Sequence, residues 1–270
     1  MNEVDQFFAP EIYEDEVNES YVRVLFDISK TKKEKVTNDF NFKFQAKLPH
    51  LTRSAKIIVK KEGEEAATSL LDGENAKAPE GTNTAKESRP DGYSAAVRKF
   101  LIETSKKNLS YDFGMKVNVP LDPFVKLRYR HLWEWTKFSI RFVQNNEYYR
   151  IDRLFNESSI YFDYKFNEKH KISYRNSYYW SWKTDADNYN HNINFYHALT
   201  DKMALAWNLS ANAVIEGESV YYNNYGLSTG YRSLMFKDWL FGEVSLGTNF
   251  AKDNNFKSKG YITFRIDMIF

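Results

Sequence analysis

From Tyr21 to the last residue, apolar and polar positions alternate along the chain. Val22, Val24, Phe26 and Ile28 are interleaved with Arg23, Leu25 and Asp27. Phe40, Phe42, Phe44, Ala46 and Leu48 are interleaved in the same way with Asn41, Lys43, Gln45 and Lys47. A period of two places one set on each face of a strand, whereas on a helix the Phe and Lys residues would scatter around the axis. Similar runs start at Leu109, Val125, Phe138 and Ile160, less regular ones lie near 170–182, 189–199, 203–215, 219–231 and 238–250, and a last run ends the chain at 260–270. Segment 93–104 is the exception, because adjacent Arg98 and Lys99 lie on opposite faces and leave its register undefined. The pattern predicts about fourteen strands, or twelve if two weak runs stay unpaired. An even number returns the chain to the side where it began.

Composition then decides what surrounds the strands. Mean hydropathy is −0.64 and 27% of residues are charged. No stretch approaches the roughly 20 apolar residues of a spanning helix, which excludes a helical membrane bundle. It does not exclude a membrane barrel, whose alternating strands average to an ordinary hydropathy. With no Cys, disulfide frameworks, cysteine-based zinc sites and thiol catalysis are excluded. A net charge of +2 gives no argument for nucleic acid. Soluble sandwiches and lipocalin-like barrels also alternate, but their strands average about 5–6 residues. Many runs here reach the roughly 9–11 residues that a tilted strand needs to cross a bilayer. Aromatics also crowd the run ends, as in Tyr178-Tyr179-Trp180-Ser181-Trp182, Trp133-Glu134-Trp135 and Trp239-Leu240-Phe241, the expected placement at headgroup depth. The predicted fold is all-β, a transmembrane antiparallel up-and-down barrel.

The final run, Gly260-Tyr261-Ile262-Thr263-Phe264-Arg265-Ile266-Asp267-Met268-Ile269-Phe270, resembles the C-terminal signal of bacterial outer-membrane β-barrel proteins. Its terminal aromatic is preceded by apolar residues at alternate positions: Phe264, Ile266 and Met268 lead to Phe270. The stretch Asp238-Trp239-Leu240-Phe241-Gly242-Glu243-Val244 is similar to the end of uncharacterised proteobacterial members of that group. The resemblance implies a porin-like protein in outer-membrane lipid and lipopolysaccharide, with Phe264, Ile266, Met268 and Phe270 recognised by the barrel-assembly machinery. Met1-Asn2-Glu3-Val4-Asp5 lacks the apolar core of a signal peptide. The resemblance therefore implies a mature form with an added or retained Met1.

Connections are expected to alternate in length. Leu48-Pro49-His50, Ser105–Asn108, Asn167–Lys169 and Thr200–Lys202 are short, as tight periplasmic turns would be. Segments 29–35, 61–92, 147–156, 183–188 and 251–257 are longer or more polar, with Pro120–Pro123 as the short exception. Segment 62–92 is rich in Gly, Pro, Ala, Thr and acids, a loosely held composition. Alternating runs flank it, so it is expected to be a long extracellular loop. Residues 1–20 carry Glu3, Asp5, Glu11, Glu14, Asp15, Glu16 and Glu19 with no Lys or Arg. They are expected to form an acidic segment, a periplasmic tail or a plug, ahead of a single barrel over 21–270.

If the apolar faces meet lipid, the other faces line a lumen. Its bases are then Arg23, Lys43, Lys47, Lys116, Lys126, Arg128, Arg130, Arg141, Arg175, Arg232 and Arg265. Its acids are Asp27, Asp39, Asp112, Glu134, Asp163, Glu243 and Asp267. Lys126, Arg128 and Arg130, beside Arg141 on the next strand, form the densest group, and basic ladders favour anions in pores. The competing expectation is that these bases pair with inward acids and fill the interior. Acids of the N-terminus as a plug are a third. Asn190, Asn192, Asn194 and Tyr196 suit sugar binding or a wet wall equally. Outer-membrane phospholipases carry a His-x-Ser-Asn-Gly motif that neither His170-Lys171-Ile172-Ser173 nor Arg175-Asn176-Ser177 reproduces. His191 and His197 share a face about 20 Å apart, too far for one metal. No catalytic motif, metal site, cofactor or nucleic-acid partner is expected. The first reading is a passive pore for small polar or anionic solutes. A closed structural or interaction barrel is the second, and a lipid-modifying enzyme ranks after both.

Overall fold

The computed structural model describes residues 20–47, 55–62, 92–117, 120–151, 153–182, 186–216 and 219–270. These form fourteen strands: β1 (Tyr21–Thr31), β2 (Val36–Lys47), β3 (Ala55–Glu62), β4 (Gly92–Glu103), β5 (Lys107–Val117), β6 (Asp122–Glu134) and β7 (Phe138–Tyr149) make the first half. The second half is β8 (Arg153–Lys165), β9 (His170–Ser181), β10 (Ala186–Thr200), β11 (Met203–Glu216), β12 (Ser219–Phe236), β13 (Leu240–Ala251) and β14 (Ser258–Ile269). Each strand pairs antiparallel with its sequence neighbours, and β1 pairs with β14, so the sheet closes on itself. Closure gives every strand a neighbour on both sides, the condition for crossing lipid with strands.

Adjacent residues settle which face is outside. Phe113 is 64% exposed while its neighbour Asp112 is 4% exposed. Leu209, Leu246 and Phe264 are likewise exposed, and Asn208, Ser245 and Arg265 beside them are buried. A soluble barrel would show the reverse, apolar inside and polar outside. The apolar face therefore points outward and the polar face lines the lumen. Apolar packing inside is local, as where Ala96, Phe124 and Tyr149 cluster near one rim. Gly114 permits that cluster, since a Cβ there would lie 2.6 Å from Phe124 Cζ and 2.7 Å from the Ala95 carbonyl oxygen.

The strand β4, whose register the sequence left undefined, sends Ser94, Ala96, Arg98 and Phe100 inward and Lys99 outward. A bulge between Phe100 and Ile102 absorbs the irregularity. The expected contrast between short and long connections holds less well. β1 continues to Thr31 and β2 resumes at Val36, and β7 continues to Tyr149 with β8 resuming at Arg153. Segment 147–156 is thus largely strand, and 29–35 is strand to Thr31 with a four-residue turn after it, because polar residues there belong to the inward face or the rim. Segment 251–257 contains only a short turn of 3-10 helix, Lys252–Asn254, before β14. Residues 1–19, 48–54, 63–91 and 183–185 lie outside the described residues, and so do the expectations placed on them.

Candidate functional site

The lumen wall is built from alternate residues of every strand, so its chemistry follows from strand register. Along the seam between first and last strands, Arg23 of β1 donates two hydrogen bonds to Asp267 of β14, at 2.9 and 2.8 Å. Arg265 of β14 returns the arrangement with two bonds to Asp27 of β1, at 2.7 and 2.9 Å. Both pairs have the bidentate fork geometry that makes Arg–carboxylate contacts strong. Asp267 also accepts from Arg232 Nη2 at 2.8 Å, and Arg232 lies over the Phe241 ring. Glu243, opposite both Arg232 and Arg265 in register, completes the charged strip across β12 to β14.

The expected basic group assembles on β6 and β7, which pair as anticipated. Lys126, Arg128 and Arg130 follow one another along β6, and Arg141 of β7 lies opposite Leu132, one further step toward the β6–β7 turn. The row is not uniform. Lys126 Nζ donates to Glu147 Oε1 at 2.6 Å. Arg141 is buried with its guanidinium 4.2 Å from the Tyr161 ring centre. Arg130 is buried and its Nη2 reaches the Ser105 carbonyl at 3.4 Å, a weak contact, whereas Arg128 is half-buried. Arg175 on β9 donates to Glu157 Oε1, Ser177 Oγ and Tyr179 Oη. Lys43 lies over the Tyr21 ring, and Lys116 is buried. Lys47 and Glu134 sit exposed at strand ends.

Sequence reading missed several inward charges. Glu147 and Glu157 fell in or beside a supposed loop, yet Glu147 continues the series Arg141, Val143, Asn145, and Glu157 continues Asp163, Tyr161, Ser159. Extending the alternation by a few residues would have found both. Arg98, paired with Asp112 at 2.7 and 2.9 Å, lay on the strand without a clear face. Lys56, fully buried over the Phe100 ring, is a further inward base. Even with the added acids, the buried bases on the wall outnumber the buried acids.

Opposite in character is the wall of β10 to β12. Asn188, Asn192 and Asn194 of β10 are buried there with Asn208 and Asn212 of β11 and Asn224 of β12. Asn208 donates to Asn194 at 2.7 Å and Asn192 to Asn190 at 2.8 Å. One side of the lumen is therefore charged and the other is amide, a surface of donors and acceptors without net charge.

A closed antiparallel barrel with its apolar face outward and its polar face inward defines a transmembrane β-barrel of the bacterial outer-membrane class. Solved structures of that class share the fold. An outer-membrane protein of Vibrio cholerae, OmpT with loop L8 deleted, matches with a TM-score of 0.56 and 8% identity, over 93% of this chain and 98% of that one. The outer-membrane channel DcaP of Acinetobacter baumannii gives 0.51 and 10% over 93% and 96%. A bacterial polysaccharide outer-membrane secretin gives 0.52 and 9% over 94% and 99%. No protein-family profile matches the sequence, and no curated protein does.

Proposed function

We propose that the barrel is a passive channel for small polar or anionic solutes. The observation that carries this reading is the row Lys126, Arg128, Arg130 and Arg141 along one stretch of inner wall. Such ladders lower the electrostatic barrier to anions. The amide wall of β10 to β12 offers uncharged partners to neutral polar solutes. Fourteen strands spaced about 4.8 Å apart and tilted about 40° enclose a backbone tube roughly 14 Å in radius, wide enough for a small solute. The test is the reversal potential of single channels in planar bilayers under a salt gradient. Arg128→Gln combined with Arg130→Gln is expected to lower the anion-to-cation permeability ratio several-fold. Unchanged selectivity would remove the anionic preference, and no conductance at all would remove the channel.

Residues 1–20 enter this reading as an occupant of the lumen. Their seven acids, named above, are opposite in sign to a wall with excess bases, and 20 residues reach up to about 70 Å when extended. Deleting residues 2–18 is expected to raise conductance; an unchanged value leaves the segment as a tail. A closed structural barrel is the competing reading, and a specific observation favours it. Arg23, Arg232, Arg265 and Asp267 are all more than nine-tenths buried, denser than a bare tube of that radius gives. Silence of both the full chain and the deletion in bilayers would decide for it. The proposal assigns no catalytic step to the barrel. It takes Phe264, Ile266, Met268 and Phe270 as the surface read by the assembly machinery, and lipid with lipopolysaccharide as the exterior surroundings.

A further inference from the structure

The outward face is apolar on most strands, but one block breaks the rule. On β7 the outward residues, from the periplasmic end, are Phe138, Ile140, Phe142, Gln144, Asn146 and Tyr148. On β8 they are Tyr164, Phe162, Ile160, Ser158, Asn156 and Leu154. Register places Gln144 beside Ser158 and Asn146 beside Asn156. Two strands further on, Asn176 of β9 lies beside His191 of β10, so polarity continues across four strands. These residues are not a rim. Each strand residue adds about 2.5 Å of height at this tilt, so Phe138 to Tyr148 spans about 25 Å, the full apolar band of a membrane barrel. Gln144, Asn146, Asn156 and Ser158 lie inside that span, with apolar or aromatic rows both above and below.

Hydrogen bonds within the block use part of its capacity. Ser158 Oγ donates to Gln144 Oε1 at 2.6 Å, and Asn156 Nδ2 donates to Asn146 Oδ1 at 2.6 Å. Asn176 Nδ2 and the Tyr174 hydroxyl both meet His191 Nδ1, at 3.0 and 3.1 Å. Asn146 Nδ2 and Asn156 Oδ1 have no partner in this set, on residues of the outward face. Hydrocarbon supplies no donor or acceptor, and an unsatisfied amide there is costly. Headgroups would sit higher, level with Tyr148 and Trp180.

We infer that this block is a contact surface between two copies of the chain, related by a two-fold axis along the membrane normal. A two-fold brings each height of one wall against the same height of the other. Amides both donate and accept, so such a face is its own complement. Gln144, Asn146, Asn156 and Ser158 carry no formal charge, so two copies do not repel. Further round the wall, past Asn176, an outward slot of about 350 Å³ opens across β9 to β13, lined by Tyr174, His191, Ile193, Leu209 and Ala211 among others. The inference does not depend on whether the lumen conducts.

The chain contains no Cys, so single thiols report cleanly. In outer-membrane vesicles, Asn156→Cys and Ser158→Cys treated with a short bis-maleimide are expected to give a species of twice the chain mass. Ile28→Cys, outward on the opposite wall, serves as the control and is expected to stay single. Native mass spectrometry of the full chain with Asn146→Leu and Asn156→Leu should then show a dimer weakened roughly 8-fold, from two membrane hydrogen bonds of average strength. The monomer of that variant should unfold at the same or higher urea, because Leu suits lipid better than Asn. Cross-linking no greater than at Ile28→Cys, capture of a different protein instead of a second copy, or a dimer unaffected by the double substitution would each overturn the inference.

Discussion

Replacing Asp267 with Asn tests whether buried ion pairs hold the barrel shut. Asp267 is the hub of the seam: two bonds arrive from Arg23 and one from Arg232, and the arginine side chains are 2% and 1% exposed. Asn keeps the shape but removes the charge, leaving two guanidinium groups buried without their shared counter-ion. Breaking a buried pair by removing one partner costs about 3–5 kcal/mol, which is about two to three and a half decades in the folding equilibrium. Arg23→Gln should cost less, since Asp267 keeps Arg232. In the double variant the two losses should not add, because residues in one network couple by about 0.5–3 kcal/mol. The assay is urea unfolding of the barrel in detergent micelles, followed by fluorescence of the six tryptophans. A loss below about 1 kcal/mol for Asp267→Asn, or strict additivity in the double variant, would show that water in the lumen screens the network and refute this reasoning.

Other expectations follow from the same wall. Gly114→Ala should destabilise by about 1–3 kcal/mol and more than Gly247→Ala, because the new Cβ at 114 meets a carbonyl oxygen, whereas at 247 it meets only the Tyr261 ring; paired urea titrations would show the order, and a reversed order would contradict it. Phe264→Arg, outward near the middle of β14, should cost about 2–4 kcal/mol in a lipid bilayer; a neutral result in liposome refolding would mean that this face does not meet lipid. Phe270→Ala removes a ring stacked 5.0 Å from Trp239 but leaves the backbone bonds between Phe270 and Val22. Refolding in vitro should therefore lose only about 0.5–1.5 kcal/mol, while the yield of assembled protein in cells falls if the terminal aromatic is read during assembly; an equal yield would remove that role.

Strand number, the two faces of most strands and the inward set Arg23, Asp27, Arg128, Arg141, Arg265 and Asp267 were all legible in the amino-acid sequence. Alternation is a local property: successive Cβ atoms point to opposite sides whatever the strand pairs with, so a residue's face can be counted along the chain. Local counting fails where a bulge resets the count, as at Phe100 in β4, or where polar runs look like loops, as at Glu147 and Glu157. Which residue meets which is a different kind of fact. Arg23 and Asp267 lie 244 positions apart, and only closure of the barrel, with its fixed register and shear, brings them together. The same holds outside. Gln144, Asn146, Asn156 and Ser158 read singly as ordinary breaks in alternation, and only pairing of β7 with β8 gathers them into one polar face at membrane depth. The sequence determined that this chain is a barrel and which side of it meets lipid. The tertiary structure decided which charges neutralise one another and where the apolar wall is interrupted, because both depend on partners that strand order and register supply.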